Sequence, residues 1–265
     1  MSEVASGTPR ILARKEGATG WLTFNNPERR NAVSVDMWEA IPRVFAAFHA
    51  DPEVRVIVLT GAGDKAFVAG ADISQFESQR ASEEGVRRYE EIGDAAQAAI
   101  LESEKPVVAM IRGFCIGGGL NIANACDLRV ASDDSRFAIP AAKMGLGYRA
   151  SAMKMLVDVV GPAKAKEIML TARQFSAVEA KEMGLLHRIT PKEGLEAAVK
   201  EYCEAIAANA PLTMKAAKRI IREVTRTQPD VDLCKALVRA CMESEDYKEG
   251  RRAFMEKRKP VFSGR

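Results

Sequence analysis

Paired cysteines are missing from this chain. Its five cysteines are odd in number and far apart, with no C-x-x-C. They read as reduced, mostly buried residues of a reducing compartment. Histidine is scarce as well: His49 and His187 are the only two, and neither has a metal-ligand spacing. Neither a metal site nor a Cys–His dyad is therefore expected. No apolar stretch approaches the roughly 18 residues of a membrane helix. The opening MSEVASGTPR has no apolar signal core, so the expected location is the cytoplasm. A G-x-x-x-x-G-K-[ST] loop is absent, which removes the P-loop reading. The net charge is only +3, aromatics make up 6%, and no basic stripe is interleaved with them. Nothing here points to nucleic acid.

What is present suits an ordinary globular enzyme. Apolar residues are 47% and charged residues 28% of 265, enough for a full core in one domain or one domain plus a small appendage. The chain is organised around VVAMIRGFCIGGGLNIANACDLRVAS, residues 107–132. Val107–Ile111, preceded by Pro106, reads as a strand. Gly117, Gly118 and Gly119 follow, then a helix-like run to Ala125 and a second strand from Leu128. Glycines at a strand-to-helix turn permit positive φ and close approach of another group. The first N–H groups of such a helix lack internal partners and suit an anionic oxygen. The glycines therefore read either as half of an oxyanion hole or as a tight packing turn.

Taken in order, Ile11–Phe24 reads as a hairpin closed around residues 17–20. Glu28–Asn31 is a basic loop in which Arg29 and Arg30 either meet a phosphate or are solvated. Ser34 is a good N-cap for a helix through Phe48, which Pro42 should kink or re-start. VRVIVLT, residues 54–60, is a strand, and Phe67–Ala69 a shorter extended piece. Gly70-Ala71-Asp72-Ile73 is then a second glycine-marked strand-to-helix transition. Two sets of backbone N–H groups could thus converge on one oxygen. A helix follows over 82–102, with its apolar stripe at Val86, Ile92, Ala95, Ala99 and Ile100. Phe137–Pro140 is extended, and Ala150–Val160 is helical. Pro162 opens another helix after Gly161. Ser176–Glu179 is a capping box, and Gly184 ends its helix. A strand is expected over Leu185–Ile189. From Pro191 onward the chain reads as helices that pack on a neighbouring subunit or back over the core.

Four segments carry a resemblance: AFVAGADI at 66–73, KPVVAMIRGFCIGGGLNIANACDLRVAS at 105–132, FAIPAAKMGLG at 137–147 and AFMEKRKPVF at 253–262. With these the chain resembles the crotonase superfamily, the enoyl-CoA hydratase/isomerase family. The resemblance implies an α/β fold, a spiral of ββα units with a C-terminal helical region. It implies a core over 1–195 and a trimerisation region over 196–265, in a homotrimer or dimer of trimers. It implies an acyl-CoA thioester as substrate, with no cofactor beyond the coenzyme A of that substrate and no nucleic-acid or membrane partner. A thioester enolate would be held by the backbone N–H groups of Ala71 and Gly118. Such fixed donors can lower a barrier by about 3–4 kcal/mol each. The CoA- and acyl-contacting positions implied are Arg29, Arg30, Ala32, Ala69, Asp72, Ile73, Gly117, Ala141 and Arg149. Phe254 and Lys257 match positions that reach a neighbour's CoA.

The sequence departs from the family pattern where hydratases carry two glutamates. Asn121 and Ala141 stand there, and Arg149 stands where some relatives carry a third acid. Asn121 can hold a water but cannot act as a general acid or base, help worth about 10²–10⁴-fold per group. Tyr148 matches a tyrosine in a decarboxylase branch, as a donor to a carboxylate or enolate or as pocket lining. Arg149 reads as a carboxylate ligand or as half of an ion pair. Cys115, Asp127 and His187 read as structural. Three functions remain open: hydration of a 2-enoyl-CoA, a reaction such as decarboxylation of a carboxylated acyl-CoA, or acyl-CoA binding with little catalysis.

Overall fold

A computed structural model describes residues 2–72 and 82–265. Eleven strands form two sheets, with nine α-helices around them among the described residues. The N-terminal strand β1 (Ser2–Val4) pairs with the hairpin of β2 (Ile11–Glu16) and β3 (Thr19–Phe24). Helix α1 (Val35–Ala50) starts ahead of Pro42 and contains it, so the proline does not set its beginning. Ser34 occupies the N-cap, but its hydroxyl bonds the carboxylate of Asp36 rather than a backbone N–H.

The next strands come in pairs: β4 (Val56–Gly61) with β5 (Ala66–Val68), β6 (Val107–Ile111) with β7 (Phe114–Ile116), and β8 (Leu128–Ser132) with β9 (Arg136–Ala138). The first of each pair enters the seven-stranded sheet, ordered β1-β2-β3-β4-β6-β8-β11. The second enters the four-stranded sheet, ordered β10-β9-β7-β5. Helices α2 (Glu83–Leu101), α3 (Gly118–Ala125) and α4 (Ala150–Thr171) follow the successive pairs. Each turn of the chain thus lays one strand in each sheet and then a helix. Sequence reading missed β7, and the glycines follow that strand rather than β6. Its three residues are too few to show a period.

The central strands are parallel and wholly buried, which explains their unbroken apolar runs. Alternation sorts them. Ile57, Leu59, Val107 and Ala109 face one core with α1, while Val56, Val58, Val108 and Met110 face a second. Helix α6 (Leu195–Ala207) covers that second face through Leu195, Ala198, Val199 and Cys203. Cover of the large sheet therefore runs past residue 195.

Helix α4 carries non-helical dihedrals at Gly161 (φ 72°), so Pro162 does open a new helical segment. A capping box closes on Ser176 and Glu179 at the start of α5 (Ala177–Glu182), after β10 (Phe175–Ser176). Strand β11 is Arg188–Thr190, later than expected, because Leu185 and Leu186 are spent in the core. His187 is structural: its Nδ1 accepts the N–H of Arg129 at 3.1 Å. Helices α7 (Pro211–Val224), α8 (Val231–Glu243) and α9 (Glu245–Met255) complete the tail. Helix α8 buries no residue, and Ile221, Val224, Met242, Phe254 and Met255 are all exposed. No helix of the described residues is long and apolar enough to cross a membrane.

Candidate active site

Two backbone transitions meet at the end of the small sheet. After β5 the chain turns at Gly70, whose φ of 116° is open to few residues other than glycine. Gly70 O accepts Val33 N–H at 2.9 Å, and Asp72 N–H donates to Val33 O at 3.0 Å. Ala71 lies between these bonds, bridged to Val33. After β7 the chain turns at Gly117, with φ 55° and ψ −114°, and enters α3. Gly119 packs so closely on β5 that an added β-carbon would sit 2.1 Å from Val68 O. That approach joins the two transitions. A β-carbon built on Gly118 would lie 3.7 Å from Ala71 N. Gly118 N–H belongs to the first helical residue and has no intrahelical acceptor. Among the described residues, neither it nor Ala71 N–H donates to a backbone carbonyl outside regular structure.

Both transitions open onto a cavity of about 250 Å³. Trp38, Ile116, Ile139, Met144, Leu146 and Ala152 make most of its wall apolar. Of the site residues expected from sequence, Ala69, Ala71, Gly117, Gly118, Asn121, Ala141, Tyr148 and Arg149 line it together. Asn121 and Ala141 are buried. Tyr148 Oη donates to Asn121 Oδ1 at 2.7 Å. Burial pushes the Tyr148 phenol up to about 12, against the smaller opposing effect of that hydrogen bond. The phenol therefore stays protonated at neutral pH. Arg149 Nη1 reaches Asp94 at 2.7 Å and Glu90 O at 3.1 Å, so its charge is paired within the chain.

The other expected residues lie outside the cavity wall. Arg29 pairs with the buried Asp72 at 2.8 Å, and Arg30 lies over the Phe114 ring at 5.0 Å. Neither arginine is simply solvated. Arg30 O also accepts Ala69 N–H at 3.0 Å, and Ala32 N–H donates to Arg29 O at 3.0 Å. This loop is therefore stitched to the Ala71 transition. Ile73 lies outside the described residues. Phe254 is 83% exposed and borders a separate groove between the tail helices. Lys257 holds a left-handed φ of 54° just after α9. Cys115 is fully buried, and burial raises its thiol well above the usual range, so it is no nucleophile.

Sequence reading missed the wall built by α2. The buried face of that helix is Gly93, Ala96, Gln97 and Ile100; of the expected stripe Ile100 is buried, and Ile92 and Ala99 are half-buried against the core. Ala95 is exposed and Val86 is 36% exposed. Glu90, Gly93 and Gln97, at i, i+3 and i+7, all line the cavity. Their spacing was visible, but glycine, glutamine and glutamate carry no apolar signal. Trp38 also lines the cavity, from α1.

Comparison with known proteins agrees with this architecture. Residues 14–265 match the family model for enoyl-CoA hydratase/isomerase. The chain is 34% identical over 253 residues to a short-chain-enoyl-CoA hydratase of Clostridium acetobutylicum, covering 94% of this chain and 95% of that protein. It is 35% identical over 256 residues to a peroxisomal Δ3,5-Δ2,4-dienoyl-CoA isomerase of Arabidopsis thaliana, covering 91% of each. The crystal structure of an enoyl-CoA hydratase/carnithine racemase from Magnetospirillum magneticum superposes with a TM-score of 0.94 at 34% identity, covering 98% of this chain and 97% of that one. The fold, the paired transitions and these likenesses converge: the chain is an enzyme of the enoyl-CoA hydratase/isomerase family, in the crotonase superfamily.

Proposed function

We propose that this enzyme binds an acyl-CoA thioester in the cavity and stabilises its enolate between the N–H groups of Ala71 and Gly118. The observation that carries the proposal is the placement of those two residues. Both residues line one largely apolar cavity, a β-carbon on Gly118 would lie 3.7 Å from Ala71 N, and among the described residues neither N–H donates to a backbone carbonyl outside regular structure. Donors held in place before reaction need no reorganisation when charge develops on the thioester oxygen. The reaction we assign is hydration of a 2-enoyl-CoA. A short-chain-enoyl-CoA hydratase and a crotonyl-CoA hydratase, from Clostridium acetobutylicum and Syntrophomonas wolfei, are 34% and 33% identical to this chain.

Asn121 then orients a water through its carboxamide, held in one rotamer by Tyr148. Coenzyme A lies along the Arg29–Ala32 loop and Asp72, with Phe254 and Lys257 of a neighbouring copy closing over it. The exposed apolar side chains of α7 to α9 supply the contact surface of a homotrimer. The free thiols fit a cytoplasmic enzyme.

A spectrophotometric assay with crotonyl-CoA tests the assignment. Turnover is expected in the wild type, and its loss in Gly118→Pro, which removes one N–H at a helical position that tolerates proline. Turnover that survives Gly118→Pro would sink the enolate-binding role.

A second reading follows from Asn121 and Ala141 standing in the cavity wall where hydratases carry acids. Decarboxylation leaves an enolate without a base, and Tyr148 lines the same cavity. Release of CO₂ from malonyl-CoA, without hydration of crotonyl-CoA, would favour it.

A further inference from the structure

We propose that Glu90 is the acid–base residue of this site, acting on the acyl chain from the helix opposite Asn121. The proposal rests on the acyl-CoA reading above. Among the described residues Glu90 is the one carboxylate that lines the cavity. The other acids near the site are committed: Asp94 pairs with Arg149 at 2.7 Å, and Asp72 with Arg29 at 2.8 Å. No ion pair engages the Glu90 side chain among the described residues.

Placement follows from α2. Glu90, an exposed residue, is one helical turn before the buried Gly93 and two before the buried Gln97, and all three line the cavity, Glu90 at its solvent side. Gly93 adds no side chain between Glu90 and the interior, and a β-carbon there would already lie 3.5 Å from Arg149 Nη2. The helix is fastened at this level to the loop bearing Tyr148, since Arg149 donates to Glu90 O at 3.1 Å. Tyr148 in turn reaches Asn121 at 2.7 Å. Glu90 and Asn121 thus stand on two walls tied to one loop. The carboxamide can hold a water, and the carboxylate can take its proton.

In the proposed step the Glu90 carboxylate removes a proton from the water held by Asn121 as its oxygen bonds to the β-carbon. The C=C electron pair moves through the α-carbon onto the thioester oxygen as the enolate. The glutamic acid so formed returns the proton to the α-carbon as the enolate collapses. Water is consumed, the 3-hydroxyacyl thioester is formed, and Glu90 ends as it began.

The experiment compares Glu90→Gln, Glu90→Ala and the neighbouring Glu91→Gln on the intact protein, with crotonyl-CoA as substrate. Glu91 is a surface residue of the same helix, its side chain 70% exposed. Turnover is expected to fall by about 10²-fold or more in both Glu90 variants with KM little changed. Glu91→Gln should match the wild type. Added formate should restore part of the Glu90→Ala rate, a rescue that a structural role would not give. Wild-type turnover with Glu90→Gln within about threefold of it would overturn the role of Glu90 and leave the acyl-CoA reading standing. A wild type that binds crotonyl-CoA by calorimetry, yet neither hydrates it nor exchanges α-protons of butyryl-CoA with D₂O, would overturn both the role of Glu90 and the enolate chemistry, and leave acyl-CoA binding alone.

Discussion

The hydroxyl of Tyr148 donates to Oδ1 of Asn121 at 2.7 Å, and both side chains face the cavity. The bond uses the one carboxamide atom that cannot donate. It leaves the NH₂ as the donor of the Asn121 side chain. Tyr148→Phe should therefore cost about 1 kcal/mol of stability by chemical denaturation. It should also slow turnover more than it weakens binding, because the carboxamide becomes free to flip. Unchanged kcat in Tyr148→Phe would show that the pair does not orient a reacting group.

The same phenol carries a pH signature. Its pKa is about 12 when folded, against an ordinary value of 10.0, because burial penalises the phenolate. Above the unfolded value the unfolded chain loses a proton that the folded chain keeps. This group's contribution to stability is therefore whole below about pH 10 and is lost as pH rises toward 12. Urea midpoints taken at about pH 9 and pH 11 should fall less in Tyr148→Phe than in the wild type. An equal drop would assign the alkaline loss to other groups.

Neighbouring glycines should separate folding from chemistry. A methyl on Gly119 would meet Val68 O at 2.1 Å, so Gly119→Ala should lose about 1–3 kcal/mol or fail to fold. A methyl on Gly118 would meet Ala71 N at an ordinary 3.7 Å. Gly118→Ala should fold with equal or higher Tm, since alanine is the better helix former. Its activity should nevertheless drop, because the methyl occupies the space beside the Ala71 N–H. A fully active Gly118→Ala would argue against an oxyanion at this spot.

Arg129 sets the far end of the same helix. Its buried guanidinium donates to Leu185 O at 2.7 Å, Cys126 O at 2.7 Å and Ala123 O at 3.3 Å. Arg129→Met leaves these acceptors without that donor and should cost about 2–4 kcal/mol by denaturant unfolding. A loss under about 1 kcal/mol would mean that water or a shifted loop replaces the side chain.

Ala141 lies buried in the cavity wall where a hydratase's acid is expected. Ala141→Glu should raise crotonyl-CoA hydration about tenfold or more, by adding a group able to carry a proton. No gain, in a variant shown to be folded, would mean that the wall there is too far from the β-carbon.

Much of this molecule was legible before any coordinates. The runs 107–111 and 128–131, the capping box at Ser176 and the break at Gly161 are consequences of a few adjacent residues. Chain neighbours alone impose their dihedrals and caps, so sequence suffices to find them. The two glycine-marked transitions were visible for the same reason, and four motifs in order carried the family likeness. Which groups meet is another matter. Arg29 with Asp72, Tyr148 with Asn121 and Arg149 with Asp94 are far apart in the chain, and only the coiling of two sheets and their helices brings them within hydrogen-bond reach. The cavity-lining face of α2 was decided the same way. Its glycine, glutamine and glutamate carry no apolar period, and they become a wall only because α3 and the Tyr148 loop pack against them.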